Sequence, residues 1–256
     1  MIDLNADVGE SFGAWRLGDD AGLMPALSSA NIACGWHAGD PATLRTTIDL
    51  ARRHGVAVGA HPGYPDLQGF GRRAMELSLS DIEDLVLYQL GAAFAFARAA
   101  GVELQHVKPH GALYNRAAVD ADVASAIARA VAAFDRTLIL VGLAGSIAVE
   151  AGQRCGLPTA REAFADREYE PDGTLRSRML PGAVLTETAA VVRQAIEIAT
   201  TGRVRSVTGE PVEVSADTIC LHGDTPGAVE HARAVRRGLE QAGIAVRPLR
   251  EVLGGS

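Results

Sequence analysis

Short apolar runs alternate with stretches of helical periodicity along the whole chain. The runs fall at residues 2–5, 30–34, 56–60, 104–108, 138–143, 159–163, 218–221 and 244–247. Each is too short for a helix interior. Most are rich in β-branched residues with little polar alternation, the pattern of strands buried on both faces of a parallel sheet. Helices fill the gaps. Asp40 is placed to cap a helix with Pro41 at its first position, and the apolar period stops at Gly55. Ser80 and Glu83 have capping-box spacing ahead of a helix over 85–100 that Gly101 ends. Further helices are predicted over 119–134, 145–153, 183–200 and 226–241, and residues 204–214, with Gly209 inside, read as a β-hairpin excursion.

Seven or eight strand–helix units without a break in composition predict one α/β domain over residues 1–256. Closure as a (β/α)7-8 TIM-like barrel is favoured, with an open doubly wound sheet as the alternative.

The polar residues cluster where these strands end. Strand one runs into Asn5-Ala-Asp7-Val-Gly-Glu10, strand two into Cys34-Gly-Trp-His37, and strand three into His61-Pro-Gly-Tyr-Pro-Asp66. Strand four leads to Lys108-Pro-His110, strand six to Asp166-Arg167, and strand seven to His222-Gly-Asp224. A parallel barrel opens all these ends on one face, so their side chains converge there as an active site. Asp7, His37 and His61 are candidate ligands for zinc or another transition metal, although no H-x-x-x-H or H-E-x-x-H spacing commits them to it. Equally, Asp7 suits a general base, with the histidines as acid/base or hydrogen-bonding groups.

Composition changes this picture at one residue. The 24 basic residues include a single lysine, Lys108, and asparagine is confined to Asn5, Asn31 and Asn115. At the end of strand four, Lys108 is placed to hold a carboxylate or phosphate or to stabilise an oxyanion; pairing with a neighbouring Asp for stability is the structural alternative. Gly69-Phe-Gly71-Arg72-Arg73 lacks the third Gly of a nucleotide motif and reads better as a mobile loop that sets an Arg on an anion. No G-x-x-x-x-G-K-[ST] occurs, so P-loop binding of ATP is not expected. Ser146 is expected to cap a helix and Tyr88 to lie in the core.

The net charge of −7, with no basic run longer than Arg52-Arg53, argues against nucleic acid as a partner. Three Cys without C-x-x-C spacing argue against a disulfide framework or a structural zinc site. No apolar stretch is long enough to span a membrane, and no signal peptide is read, so a cytoplasmic protein is expected.

The segments L-N-A-D-V-G-E-S-F-G, S-A-N-I-A-C-G-W-H-A-G-D-P, G-A-H-P-G-Y-P-D-L-Q-G-F-G-R-R, H-V-K-P-H-G-A-L-Y-N and A-D-T-I-C-L-H-G-D closely resemble the LamB/YcsF family. They span residues 4 to 224, and only Trp36 departs from the pattern, where Phe is expected. The resemblance implies an irregular barrel like the glycoside hydrolase/deacetylase fold. It implies an ATP-dependent 5-oxoprolinase, hydrolysing 5-oxo-L-proline to L-glutamate, with ATP as co-substrate. It also implies 5-oxoprolinase subunits B and C as partners, to which lactam phosphorylation is assigned. On this reading Asp7, His61, Lys108 and His110 carry the chemistry. Asn5, His37, Arg72, Asn115, His222 and Asp224 bind substrate. Two alternatives stand beside it: a metal-dependent carbohydrate deacetylase-like hydrolase, requiring a divalent metal, and a non-catalytic protein that presents substrate to its partners.

Overall fold

The computed structural model describes residues 1–225 and 227–254. Seven parallel strands close into a barrel: β1 (Asp3–Val8), β2 (Ser29–Ala33), β3 (Ala57–His61), β4 (Leu104–Val107), β5 (Ile139–Leu143), β6 (Thr159–Phe164) and β9 (Thr218–His222). β1 closes the ring by pairing with both β2 and β9, matching Asp7 to Asn31 on one side and to His222 on the other. The antiparallel pair β7 (Arg203–Arg205) and β8 (Pro211–Glu213) forms the expected hairpin outside the barrel.

An eighth strand over 244–247 does not form. Val246 makes a single parallel bridge to Ile2 beneath β1. Pro248 follows, which has no N–H to continue a ladder, and the chain turns at once into α9 (Leu249–Gly254).

Around the ring lie α1 (Asp20–Leu23), α2 (Pro41–His54), α3 (Leu79–Ala99), α4 (Gly111–Val119), α5 (Ala121–Phe134), α6 (Ile147–Arg154), α7 (Thr188–Thr201) and α8 (Ala228–Gln241). Asp40 caps α2 by accepting from the Thr43 N–H, and Gly55 ends it in the left-handed region. The cap of α3 is Ser78, not Ser80: its hydroxyl accepts from the Asp81 N–H and donates to the Asp81 carboxylate. The helix expected from 119 begins earlier, at Gly111, and Asp120 splits it by capping α5. Residues 183–187 are drawn into a loop, with Val184 bridging Arg167, so α7 starts later than expected. Of the expected helix over 226–241, Pro226 lies outside the described residues. Ser146 occupies the cap position of α6 but makes no side-chain capping bond. Tyr88 is not core: it is 64% exposed and stacks on Trp36 with ring centroids 5.3 Å apart.

Strand alternation divides β1 cleanly. Leu4, Ala6 and Val8 join the apolar layer that also holds Ile48, Leu90 and Val235 of the surrounding helices. Asp3, Asn5 and Asp7 turn into the barrel. The interior is therefore a polar column, where such barrels more often stack branched apolar side chains.

That column is almost fully hydrogen-bonded, as burial demands. Asp3 accepts from the hydroxyls of Ser28, Ser29 and Thr218 at 2.5–2.7 Å. Asn5 donates to Thr218 and to Glu162 of β6, and accepts from Asn31 at 2.7 Å. Asn31 also donates to Asp7 at 2.9 Å and accepts from His106 Nε2 at 2.7 Å. Burial holds His106 neutral, its pKa lowered to about 3, so its Nε2–H is the donor.

Candidate active site

At the top of the column, the strand ends and the loops beyond them enclose a cavity of about 490 Å³. Asp7, His61, Lys108, His110 and His222 line it, joined by Arg72 and Asn115. Asn5 and His37 do not: Asn5 lies deeper in the column and His37 sits fully buried behind His110. Asp224 is not among the lining residues; its carboxylate accepts from Arg72 Nη2 at 2.7 Å.

Lys108 follows β4 and reaches across the barrel. Its Nζ lies 2.9 Å from Asp7 Oδ1, 3.0 Å from Glu162 Oε1 and 3.0 Å from Cys220 Sγ. Burial alone would lower its pKa, but Asp7, Cys220 and Glu162 outweigh burial and hold it well above the usual lysine range. Its charge is thus committed to two buried carboxylates, the pairing set out above as the structural alternative. For Asp7, burial opposes the charge, yet His61 and Lys108 prevail and hold its carboxyl well below the ordinary range. A carboxylate so stabilised is a poor proton acceptor near neutrality.

His61 and His110 meet nitrogen to nitrogen. His61 Nδ1 lies 2.6 Å from the Lys108 carbonyl and His110 Nε2 lies 2.8 Å from the Phe70 carbonyl. A carbonyl only accepts, so both outer nitrogens carry hydrogen. The inner contact, His61 Nε2 to His110 Nδ1 at 2.9 Å, is a hydrogen bond only if one further proton sits between them. Burial, then His37 and His61, hold the His110 pKa well below the usual histidine range, and His61 Nε2 also lies 3.3 Å from Asp7 Oδ2.

The loop carrying Phe70 is pinned. Beyond its bond to His110, the Gly71 carbonyl accepts from the Ala112 N–H at 2.9 Å, and Arg73 pairs with Asp66. Phe70 has φ of 55°, left-handed for a residue with a side chain, and this backbone turns its carbonyl onto His110 while its ring stands edge-on to His37 and His110.

A second histidine is oriented by a carboxylate. His222 Nδ1 lies 3.0 Å from Asp166 Oδ1, and its backbone N–H donates to Asp166 Oδ2 at 2.9 Å. Burial raises the Asp166 pKa but the His222 contacts prevail and lower it. The carboxylate only accepts, so Nδ1 carries the hydrogen and Nε2 is the ring nitrogen left free of it. Phe164 stacks beneath this ring at 15° between planes. Asp166 stands visibly after strand six in the sequence, but its partner is not readable from spacing.

Glu10 escaped the sequence reading although it stands in the first strand-end segment. Burial, then the Asp7 and Asp224 carboxylates, push its pKa well up. Its Oε1 lies 3.5 Å from His37 Nε2 and 3.6 Å from His110 Nδ1, without a hydrogen-bond partner.

The donors suited to a metal are not the expected trio. Asp7 is held by Lys108, Asn31 and His61, whereas Glu10, His37, His61 and His110 each bring one donor atom within 4.8 Å of the others. A carboxylate with imidazoles suits a transition metal chemically. The ring geometry does not: His37 and His110 stack face to face at 3.8 Å and 4°, so their in-plane lone pairs run side by side and do not converge. These residues as they stand do not fit an ion.

Known proteins share much of this sequence and this fold. The family model described as the LamB/YcsF family matches residues 2–254. A Chloroflexus aggregans protein, named as the A subunit of 5-oxoprolinase, is 59% identical over 246 residues, covering 96% of this chain and 98% of its own. The crystal structure of the lactam utilization protein from Thermus thermophilus superposes with a TM-score of 0.91 at 50% identity, covering 96% of this chain and 98% of that one. A deacetylase solved with its substrate shares the fold alone, with a TM-score of 0.52 at 16% identity over 100% of this chain and 91% of its own. By sequence over nearly its full length, the chain belongs to the LamB/YcsF family.

Proposed function

We propose that this chain hydrolyses the ring amide of 5-oxo-L-proline to give L-glutamate, as the A subunit of an ATP-dependent 5-oxoprolinase. The names of its relatives in Chloroflexus aggregans and Thermus thermophilus support the lactam as substrate. Subunits B and C, the partners in this reading, supply phosphoryl activation of the lactam oxygen from ATP. Five-membered lactams are poor electrophiles, so activation by phosphate makes chemical sense.

The observation that carries the reading is a cavity with a proton acceptor and a proton donor lining it. His222, oriented by Asp166, takes a proton from water through Nε2 as the water attacks the ring carbonyl carbon. The His61–His110 pair passes a proton to the ring nitrogen as the C–N bond breaks, and the acyl phosphate that remains is hydrolysed by a second water to glutamate and inorganic phosphate. Asp7, expected from sequence as the base, instead faces His61 and is itself held by Lys108.

The test is glutamate formation from 5-oxo-L-proline by the chain alone and with subunits B and C, each with and without ATP. Glutamate formed only with all three subunits and ATP is expected. Full activity of a His61→Ala, His222→Ala double variant in that complex would overturn the assignment and favour a chain that only presents substrate.

A further inference from the structure

The loop from β6 to α7 brings arginines over the cavity that the scheme above does not use. Arg167 and Arg178 both line it, beside Arg72. Arg72 has a carboxylate partner in Asp224, whereas among the described residues neither Arg167 nor Arg178 makes a salt bridge. Arg167 is 5% exposed and spends its donors on backbone: Nε to the Ala183 carbonyl at 3.1 Å and Nη2 to the Arg176 carbonyl at 2.5 Å. Arg178 Nη2 is buried with no hydrogen-bond partner.

The loop that holds them is firmly built. Gln194 of α7 donates to the carbonyls of Phe164 and Arg167 at 2.9 and 2.8 Å, and the Tyr169 hydroxyl, fully buried, accepts from the Phe164 N–H at 2.7 Å. The Arg167 guanidinium is therefore positioned before any ligand arrives. Burial and then Arg178 depress the Arg167 pKa to about 10, and burial and then Arg72 depress that of Arg178, so the three charges crowd one another. Folding has placed cations at mutual expense, with donors left open, which an arriving anion would relieve. Lys108, the cation first expected to meet substrate, is already neutralised by Asp7 and Glu162.

We propose that Arg167 and Arg178 form an anion cradle at the cavity rim that receives the carboxylate of a small lactam acid and aims its ring amide at His61 and His222. The assignment rests on the lactam reading above. A guanidinium matches a carboxylate in planar geometry, which makes Arg the fitting residue here. Inorganic phosphate has the same chemistry and must be distinguished.

The experiment titrates the purified chain with 5-oxo-L-proline, its neutral carboxamide and inorganic phosphate by calorimetry, using wild type, Arg178→Gln and Arg167→Gln. Arg178→Gln is the leading variant because Arg167 also supports the loop; thermal melts confirm that each variant is folded. Loss of about ten- to hundredfold in affinity for the acid in Arg178→Gln, with carboxamide binding unchanged, is expected for one charge-assisted contact. Equal binding of acid and carboxamide by all three proteins would overturn the cradle and leave the lactam reading intact. Arg178-dependent binding of phosphate without binding of either lactam would overturn the carboxylate assignment and the lactam reading together. Failure of wild type to bind any of the three overturns the cradle.

Discussion

Lys108 Nζ and Asp7 Oδ1 lie 2.9 Å apart at the head of the barrel interior, with both side chains almost wholly buried. Neither charge is tolerable there alone, because the interior offers little water to solvate it. Glu162 completes a triad in which one ammonium serves two carboxylates.

Removal of the lysine therefore costs more than a surface charge would. Lys108→Met is expected to lower unfolding stability by about 3–5 kcal/mol, the cost of leaving buried charge unpaired. Adding Asp7→Asn should restore part of the loss, because the second change removes one stranded carboxylate. Urea denaturation of the two single variants and the double variant measures both effects. Strictly additive losses would show that the two residues are not coupled.

The His61–His110 pair acts as a unit if it shares one proton. Either single change to Ala should then slow lactam hydrolysis by the complex by about 10²–10⁴-fold, the usual range for general acid catalysis. The double variant should be hardly slower than the worse single one, since the shared proton is already lost. Steady-state rates decide; multiplication of the two losses would mean that the histidines act separately.

Asp3 lies at the opposite end of the polar column. Burial raises its pKa from 3.8 to about 6 in the folded chain, against the pull of the Ser29, Thr218 and Ser28 hydroxyls. Between those values the folded state holds a proton that the unfolded state has lost. Stability from this group accordingly falls as pH rises from about 4 to about 6, and levels off above. Asp3→Asn cannot titrate, so its stability should decline less over that window. Chemical denaturation at intervals across the window tests the sign, and an unchanged slope would reject it.

The fold was legible because seven of the eight apolar runs became barrel strands, and their sequence order is nearly their order in the ring. The eighth failed for a reason that stood in the sequence, namely Pro248 directly after it. At the site, a strand's end announces which face a residue joins, so Asp7, His61, Lys108, His110 and His222 converged as expected. Partners were not legible. Nothing in spacing says that Lys108 meets Glu162, 54 positions away in sequence, or that Asp166 orients His222, because both pairings depend on barrel closure. Arg178 was hidden for another reason: it belongs to a long irregular loop without any period to read.

Gly59 of β3 shows how closely the column is packed. A Cβ built there would lie 2.1 Å from His106 Nε2, the atom that donates to Asn31. His106 is itself buried, so its ring has little room to retreat. Gly59→Ala should therefore break the His106–Asn31 bond and destabilise the fold by about 1–3 kcal/mol, the common cost of overpacking. Asn31 also donates to Asp7, so the damage should reach the site as a lower turnover rate. Pairing Gly59→Ala with His106→Ala frees the space and should recover stability relative to Gly59→Ala alone. Thermal denaturation of the two variants beside wild type supplies the measurement. If Gly59→Ala melts with wild type, the contact does not limit the strand.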